Sequence, residues 1–206
     1  MISHSHKFIF VCNMRVASQS ISNSLSPICL YQDKHLTALE AKTGVLTSPA
    51  SVRLCSSDPI TREKSEKWDD YFKFAFVRDP YSHFLSTFFY LNKYRYKGSM
   101  SFRDYAELQE KTSYSSMSDW NFTGLFDRVS DEEGNLIVDF IGRMETIEED
   151  WNYILDRCSI VEIDLNHINY SIKGGIKDIE HYYTRKEKEI VRKLYTKDFE
   201  KLGYDR

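Results

Sequence analysis

A glycine-rich phosphate loop is missing: the eight glycines are scattered, and GxxxxGK[ST] occurs nowhere in the 206 residues. This disfavours a Walker-type nucleotide kinase, whose backbone cradle and lysine depend on that pattern. The four cysteines, Cys12, Cys29, Cys55 and Cys158, form no CxxC pair. A structural zinc site is therefore not expected, and the chain reads as a reduced, cytoplasmic protein with free thiols. No apolar run approaches the ~20 residues of a membrane helix. The opening MISHSHK lacks the apolar core of a signal peptide. Excess basic charge is absent as well: the net charge is −3, which gives no support to nucleic-acid binding. Any anion site must be local.

What is present is a folding composition, 41% hydrophobic with 14 Tyr and 13 Phe. The length suits one domain over residues 1–206, without repeats or low-complexity blocks. Phe8, Ile9, Phe10 and Val11 form an apolar run expected of a strand buried on both faces. After Cys12 and Asn13 comes a turn of Arg15, Val16, Ala17, Ser18, Gln19 and Ser20, and Ile21 and Leu25 then recur at helical spacing. Strand, short turn and helix aim free N–H groups and a positive dipole end at one point. Small residues admit a ligand to the backbone, Ser18 and Ser20 add hydroxyl donors, and Arg15 adds a forked cation. The turn suits an anion, although an ordinary β–α turn with an unrelated arginine fits the same residues.

A second such arrangement follows. Tyr71 to Val77 reads as a strand ending at Arg78, with Asp79 as helix N-cap and Pro80 as the first helical residue. The helix Tyr81–Tyr94 turns Phe84, Leu85, Phe88 and Leu91 to one face, while Ser82 and Ser86 fall four apart near its start. Between the two arrangements, Lys34 to Glu40 predicts a helix ending near Gly44. Residues 97–121 are polar and read as a lid or substrate-facing insertion. Leu136 to Ile141 and Ile160 to Ile163 are further strand candidates. Capping-box spacing at Thr146–Glu149 and Thr184–Glu187 opens two more helices. Alternation of strands and helices predicts an α/β, P-loop-like three-layer fold with a mostly parallel sheet flanked by helices.

With both arrangements in view, the chain resembles the sulfotransferases that act on carbohydrates, the group of heparan uronyl 2-O-sulfotransferases and small bacterial relatives. FIFVCNMRVASQSI resembles their 5′-phosphosulfate loop, and FKFAFVRDPYSHFLSTFF is similar to their 3′-phosphate motif. VDFIGRMETIEEDW and YYTRKEKEIVRKLYTKDFEKLGY match further blocks, so the resemblance covers nearly the whole chain. It implies 3′-phosphoadenosine-5′-phosphosulfate as donor, transfer to a hydroxyl, most readily of a carbohydrate, and no metal. Arg15, Val16, Ala17, Ser18, Gln19 and Ser20 would bind the 5′-phosphosulfate, and Arg78 and Ser86 the 3′-phosphate. Arg143, Asn169, Ser171 and Lys173 lie in segments where the family approaches the nucleotide, with an ion pair or a solvated turn as alternatives. Departures stand at Met14, Arg15 and Gln19, where the family has Pro, Lys and Thr. They keep open a non-catalytic nucleotide-binding protein, and a phosphotransferase remains a third reading.

A general base must accept the acceptor's proton. Of the six histidines, His4 and His6 fall in an expected frayed terminus, and His83 reads as a surface residue on the phosphate-side helix. His167 and His181 have no carboxylate at an informative spacing. His35 lies between the two phosphate motifs, the interval in which the uronyl 2-O-sulfotransferases carry their catalytic histidine. It is the expected base beside Arg15, with Glu40 as competitor.

Overall fold

The apolar run at Phe8 forms a strand, and a strand the sequence did not suggest lies beside it. A computed structural model describes residues 1–29, 36–45, 60–112, 124–161, 163–165 and 179–205. His35, His167, Asn169, Ser171 and Lys173 lie outside the described residues, as do residues 113–121 of the expected insertion, whose residues Phe102–Thr112 are helical. Contacts divide the chain into two compact units, Met1–Val77 with Asp127–Asn169 and Arg78–Phe126 with Tyr170–Arg206.

The first unit holds one sheet in the order β1 (Ile2–Ser3), β2 (Phe8–Val11), β3 (Phe72–Val77) and β4 (Phe140–Arg143). β2, β3 and β4 run parallel, and β1 is antiparallel to β2. All four β2 residues are buried, as a central parallel strand requires. Ile9, Val11 and Ala75 share one face and pack with Ala38, Ala41 and Trp68. Phe8, Phe10 and Phe74 interlock with ring centroids 5.1 to 5.6 Å apart. Gly142 pairs with Phe76 in the register, and a Cβ there would meet the Phe76 ring at 2.5 Å. Only glycine lets β4 lie against that ring. The α/β class with a mostly parallel sheet and flanking helices is as the sequence predicts.

The helices of this unit are α1 (Ser18–Leu25), α2 (Ala38–Thr43), α3 (Ile60–Lys67) and, after β4, α6 (Ile147–Arg157). α2 starts later than expected, because Thr37 and Glu40 form a capping box, and it ends at left-handed Gly44. The terminus is not frayed. The Met1 ammonium donates to the Phe10 carbonyl at 2.8 Å, and His4 Nδ1 lies 2.8 Å from the Tyr71 hydroxyl. β4 begins four residues beyond the expected start. Leu136 instead bridges Ser130, and the Ile137 N–H donates to the Val129 carbonyl, so this apolar stretch closes a hairpin before pairing with β3 begins. At Thr146 there is no side-chain cap. Its hydroxyl donates to Asp150 Oδ2, which also accepts the Arg143 N–H. Ile160 and Val161 are not in a strand. Ser159 turns to positive φ after α6, and Val161 is 91% exposed.

The second unit contains α4 (Pro80–Tyr94), α5 (Phe102–Thr112), α7 (Arg185–Leu194) and α8 (Thr196–Leu202). Phe84, Leu85, Phe88 and Leu91 of α4 meet Tyr105 and Ala106 of α5, and Ile190 and Val191 of α7. The periodicity of α4 therefore reads correctly as a buried stripe. The Thr184–Glu187 capping box is formed as expected. Asp198 is buried, and its carboxylate accepts the N–H groups of Leu125 and Phe126 at 2.8 and 3.0 Å. Gly124 gives that carboxylate room, since a Cβ would lie 2.6 Å from Asp198 Oδ1.

Candidate active site

The turn after β2 is built from strained backbone. Arg15 has φ 61° and Ala17 has φ 55°, both left-handed without being glycine. Such residues cost about 1–2 kcal/mol each and concentrate where backbone N–H groups must converge. Ala17 is the N-cap of α1, and its side chain makes no capping hydrogen bond. Arg15, Ala17 and Ser18 are half-buried, while Val16 and Ser20 are buried. Val16 can serve only through its backbone. Gln19 directs its amide along the helix to Asn23 Oδ1 at 2.8 Å.

In the second unit, Arg78 is half-buried at the start of the helical segment. Asp79 caps α4 by accepting the Ser82 N–H at 2.8 Å, with Pro80 in the first turn. The cap engages the Ser82 amide in the first turn of α4. Ser82 and Ser86 are both buried, and the Ser82 hydroxyl has no hydrogen-bond partner among the described residues. His83 is not a surface residue. It is 1% exposed, with Nδ1 3.2 Å from the Tyr195 hydroxyl, and belongs to the packing of the unit.

Two further residues bear on the first turn. Glu40 is fully buried, and its Oε2 accepts the Thr37 N–H at 2.9 Å; the carboxylate is committed to capping α2. Arg128 went unrecognised in the sequence. It is buried, and its Nε donates to Asn13 Oδ1 at 3.1 Å, a contact across 115 positions that no local spacing signals. Among the described residues no cluster of His, Cys, Asp and Glu could hold a metal ion. Among them also, no helix is long and apolar enough to cross a membrane.

A mostly parallel sheet with a strained turn between a central strand and the next helix places the chain among the α/β proteins with flanking helices. Within that class the chain belongs to the sulfotransferase family, whose profile matches residues 1–205. It is similar to carbohydrate sulfotransferase 14 of Danio rerio, 29% identical over 182 residues, which cover 72% of this chain and 48% of that protein. It thus spans about half the length of that relative. It is also similar to an uncharacterized protein of Archaeoglobus fulgidus, 29% identical over 98 residues, 46% of this chain and 73% of that protein. No solved structure matches it significantly.

Proposed function

We propose that the chain transfers a sulfuryl group from 3′-phosphoadenosine-5′-phosphosulfate to a hydroxyl, most readily of a carbohydrate. The observation carrying this reading is the left-handed pair Arg15 and Ala17 leading into the uncapped start of α1. The donor has two separate phosphate centres, and the chain has two turns with an arginine and serines. Arg15 and the N–H groups of the first turn bind the 5′-phosphosulfate, and Arg78 with Ser86 the 3′-phosphate. No metal takes part.

In the reaction the acceptor oxygen attacks sulfur in line as the bond from sulfur to the bridging phosphate oxygen breaks. Negative charge grows on the departing phosphate, where Arg15 and the amides stabilise it. The hydroxyl proton goes to the His35 imidazole. Glu40, the competing base, is already held by the Thr37 N–H, which favours His35.

Binding and transfer separate this reading from its rivals. Adenosine 3′,5′-bisphosphate should bind without magnesium and more tightly than ATP with magnesium; the reverse order sinks the reading in favour of a phosphotransferase. Labelled donor offered with a panel of glycans, lipids and phenols should label a glycan. Tight bisphosphate binding with no label transferred leaves a nucleotide-binding protein.

A further inference from the structure

Asn13 lies two residues beyond the end of β2 and leads into the anion-binding turn, and it is fully buried. Its Nδ2 donates to the Phe76 carbonyl on β3 at 2.9 Å, and its Oδ1 accepts from Arg128 Nε at 3.1 Å. The two partners fix the amide's orientation, because a guanidinium can only donate and a carbonyl can only accept. Arg128 Nη2 also reaches the Leu36 carbonyl at 3.5 Å, and Cys12 and Glu40 lie within the guanidinium's field. Burying a guanidinium is costly, and an apolar side chain would often serve stability as well. Arg128 holds the residue that leads into the turn, Asn13, from across the fold.

We propose that Asn13 and Arg128 are a positioning pair for the anion-binding turn. The amide ties the end of β2 to β3, and the guanidinium locks the amide. Met14, left-handed Arg15 and left-handed Ala17 therefore start from a fixed point. Neither side chain touches the reacting atoms. The inference rests on the donor reading above and assigns the pair to the 5′-phosphate end of the nucleotide.

Calorimetry with adenosine 3′,5′-bisphosphate and adenosine 3′-monophosphate isolates the 5′-phosphate's share of binding. In the wild type the bisphosphate should bind more tightly. Asn13→Ala and Arg128→Lys should each reduce that preference by about tenfold, the scale of one charge-assisted contact, with the monophosphate's affinity within about twofold. The double variant should lose no more than the worse single one, because the two residues act as a unit. Arg128→Lys keeps the buried charge and is the variant expected to melt cooperatively should Asn13→Ala fail to fold. An unchanged preference in a folded variant overturns the inference. So does equal weakening of both nucleotides with a lowered melting temperature, which marks a merely structural role, and so do additive losses. A wild type without any preference overturns the donor reading itself.

Discussion

Tyr183 donates its phenol proton to the main-chain carbonyl of Tyr81 at 2.7 Å, and the two rings meet edge to face. Tyr81 lies in the first turn of α4, three residues beyond Arg78. The bond therefore fastens the start of the helix that carries Ser86. Tyr183→Phe keeps the ring and should cost about 1 kcal/mol at neutral pH, the worth of one neutral hydrogen bond. Chemical denaturation measures it.

The same phenol gives an alkaline signature. Burial raises its pKa well above the ordinary value, with Tyr195, Asp79 and Tyr81 adding to the shift and Arg78 opposing it. A raised folded pKa means that the folded state holds a proton the unfolded chain releases. The contribution is full below the unfolded pKa of about 10 and is lost as pH rises beyond it. Stability measured from pH 8 to 11 should fall less steeply in Tyr183→Phe than in the wild type. Parallel curves would show that Tyr183 does not govern this limb.

Backbone strain in the turn after β2 is testable without ligand. Ala17 holds φ 55° and ψ 17°. Glycine removes the Cβ cost of about 1–2 kcal/mol but adds about 0.4–1 kcal/mol of freedom to the unfolded chain. Ala17→Gly should therefore raise stability by about 0.5–1 kcal/mol, and Ala17→Val should lower it. Thermal melts of the two variants should move in opposite directions; a glycine variant that melts earlier would place the strain elsewhere.

The parts legible in the sequence are those whose cause is local. Phe8–Val11 and the run at Phe72 are apolar enough to be central strands, and Asp79 with Pro80 announces α4 by capping chemistry alone. β1 is two residues long and exists because Met1 exchanges hydrogen bonds with Phe10, which no periodicity encodes. β4 was misplaced because Leu136 and Ile137 are as apolar as a strand but are claimed by the hairpin with Val129 and Ser130. Around the turn after β2, Arg15 and the serines stand out by local spacing, whereas Arg128 does not, since it meets Asn13 through a contact across 115 positions.

For the 3′-phosphate, Arg78→Ala should weaken binding of adenosine 3′,5′-bisphosphate by about 1.5–3 kcal/mol, the scale of a charged hydrogen bond. Ser86→Ala should cost less, because a neutral donor is lost. Both variants should lose discrimination between nucleotides with and without a 3′-phosphate. Undiminished discrimination would remove these two residues from the 3′-phosphate site.

At the transfer step, Arg15→Ala should lower kcat more than donor affinity, because the phosphate it faces gains charge only as the sulfuryl group leaves. Arg15→Lys should retain activity if an ammonium can reach the same oxygen from this left-handed position. Single-turnover rates at saturating donor separate the two effects. Normal turnover in Arg15→Ala would take Arg15 out of the mechanism.

The proton's destination is the last test. His35 directly precedes Leu36, whose carbonyl lies 3.5 Å from Arg128 Nη2, and Glu40 is buried in the cap of α2. His35→Ala should abolish transfer while leaving bisphosphate affinity within about twofold, since a base acts on the acceptor and not on the donor. A free imidazole titrates near about 6.5 and accepts a proton only when neutral. Wild-type kcat should therefore decline on the acid side of that range, and slowing of transfer by acid should vanish in any residual activity of the variant. Glu40→Gln, by contrast, weakens acceptance of the Thr37 N–H and should lower the melting temperature with kcat changed far less. Full turnover in His35→Ala, or loss of transfer in a well-folded Glu40→Gln, would move the base to Glu40.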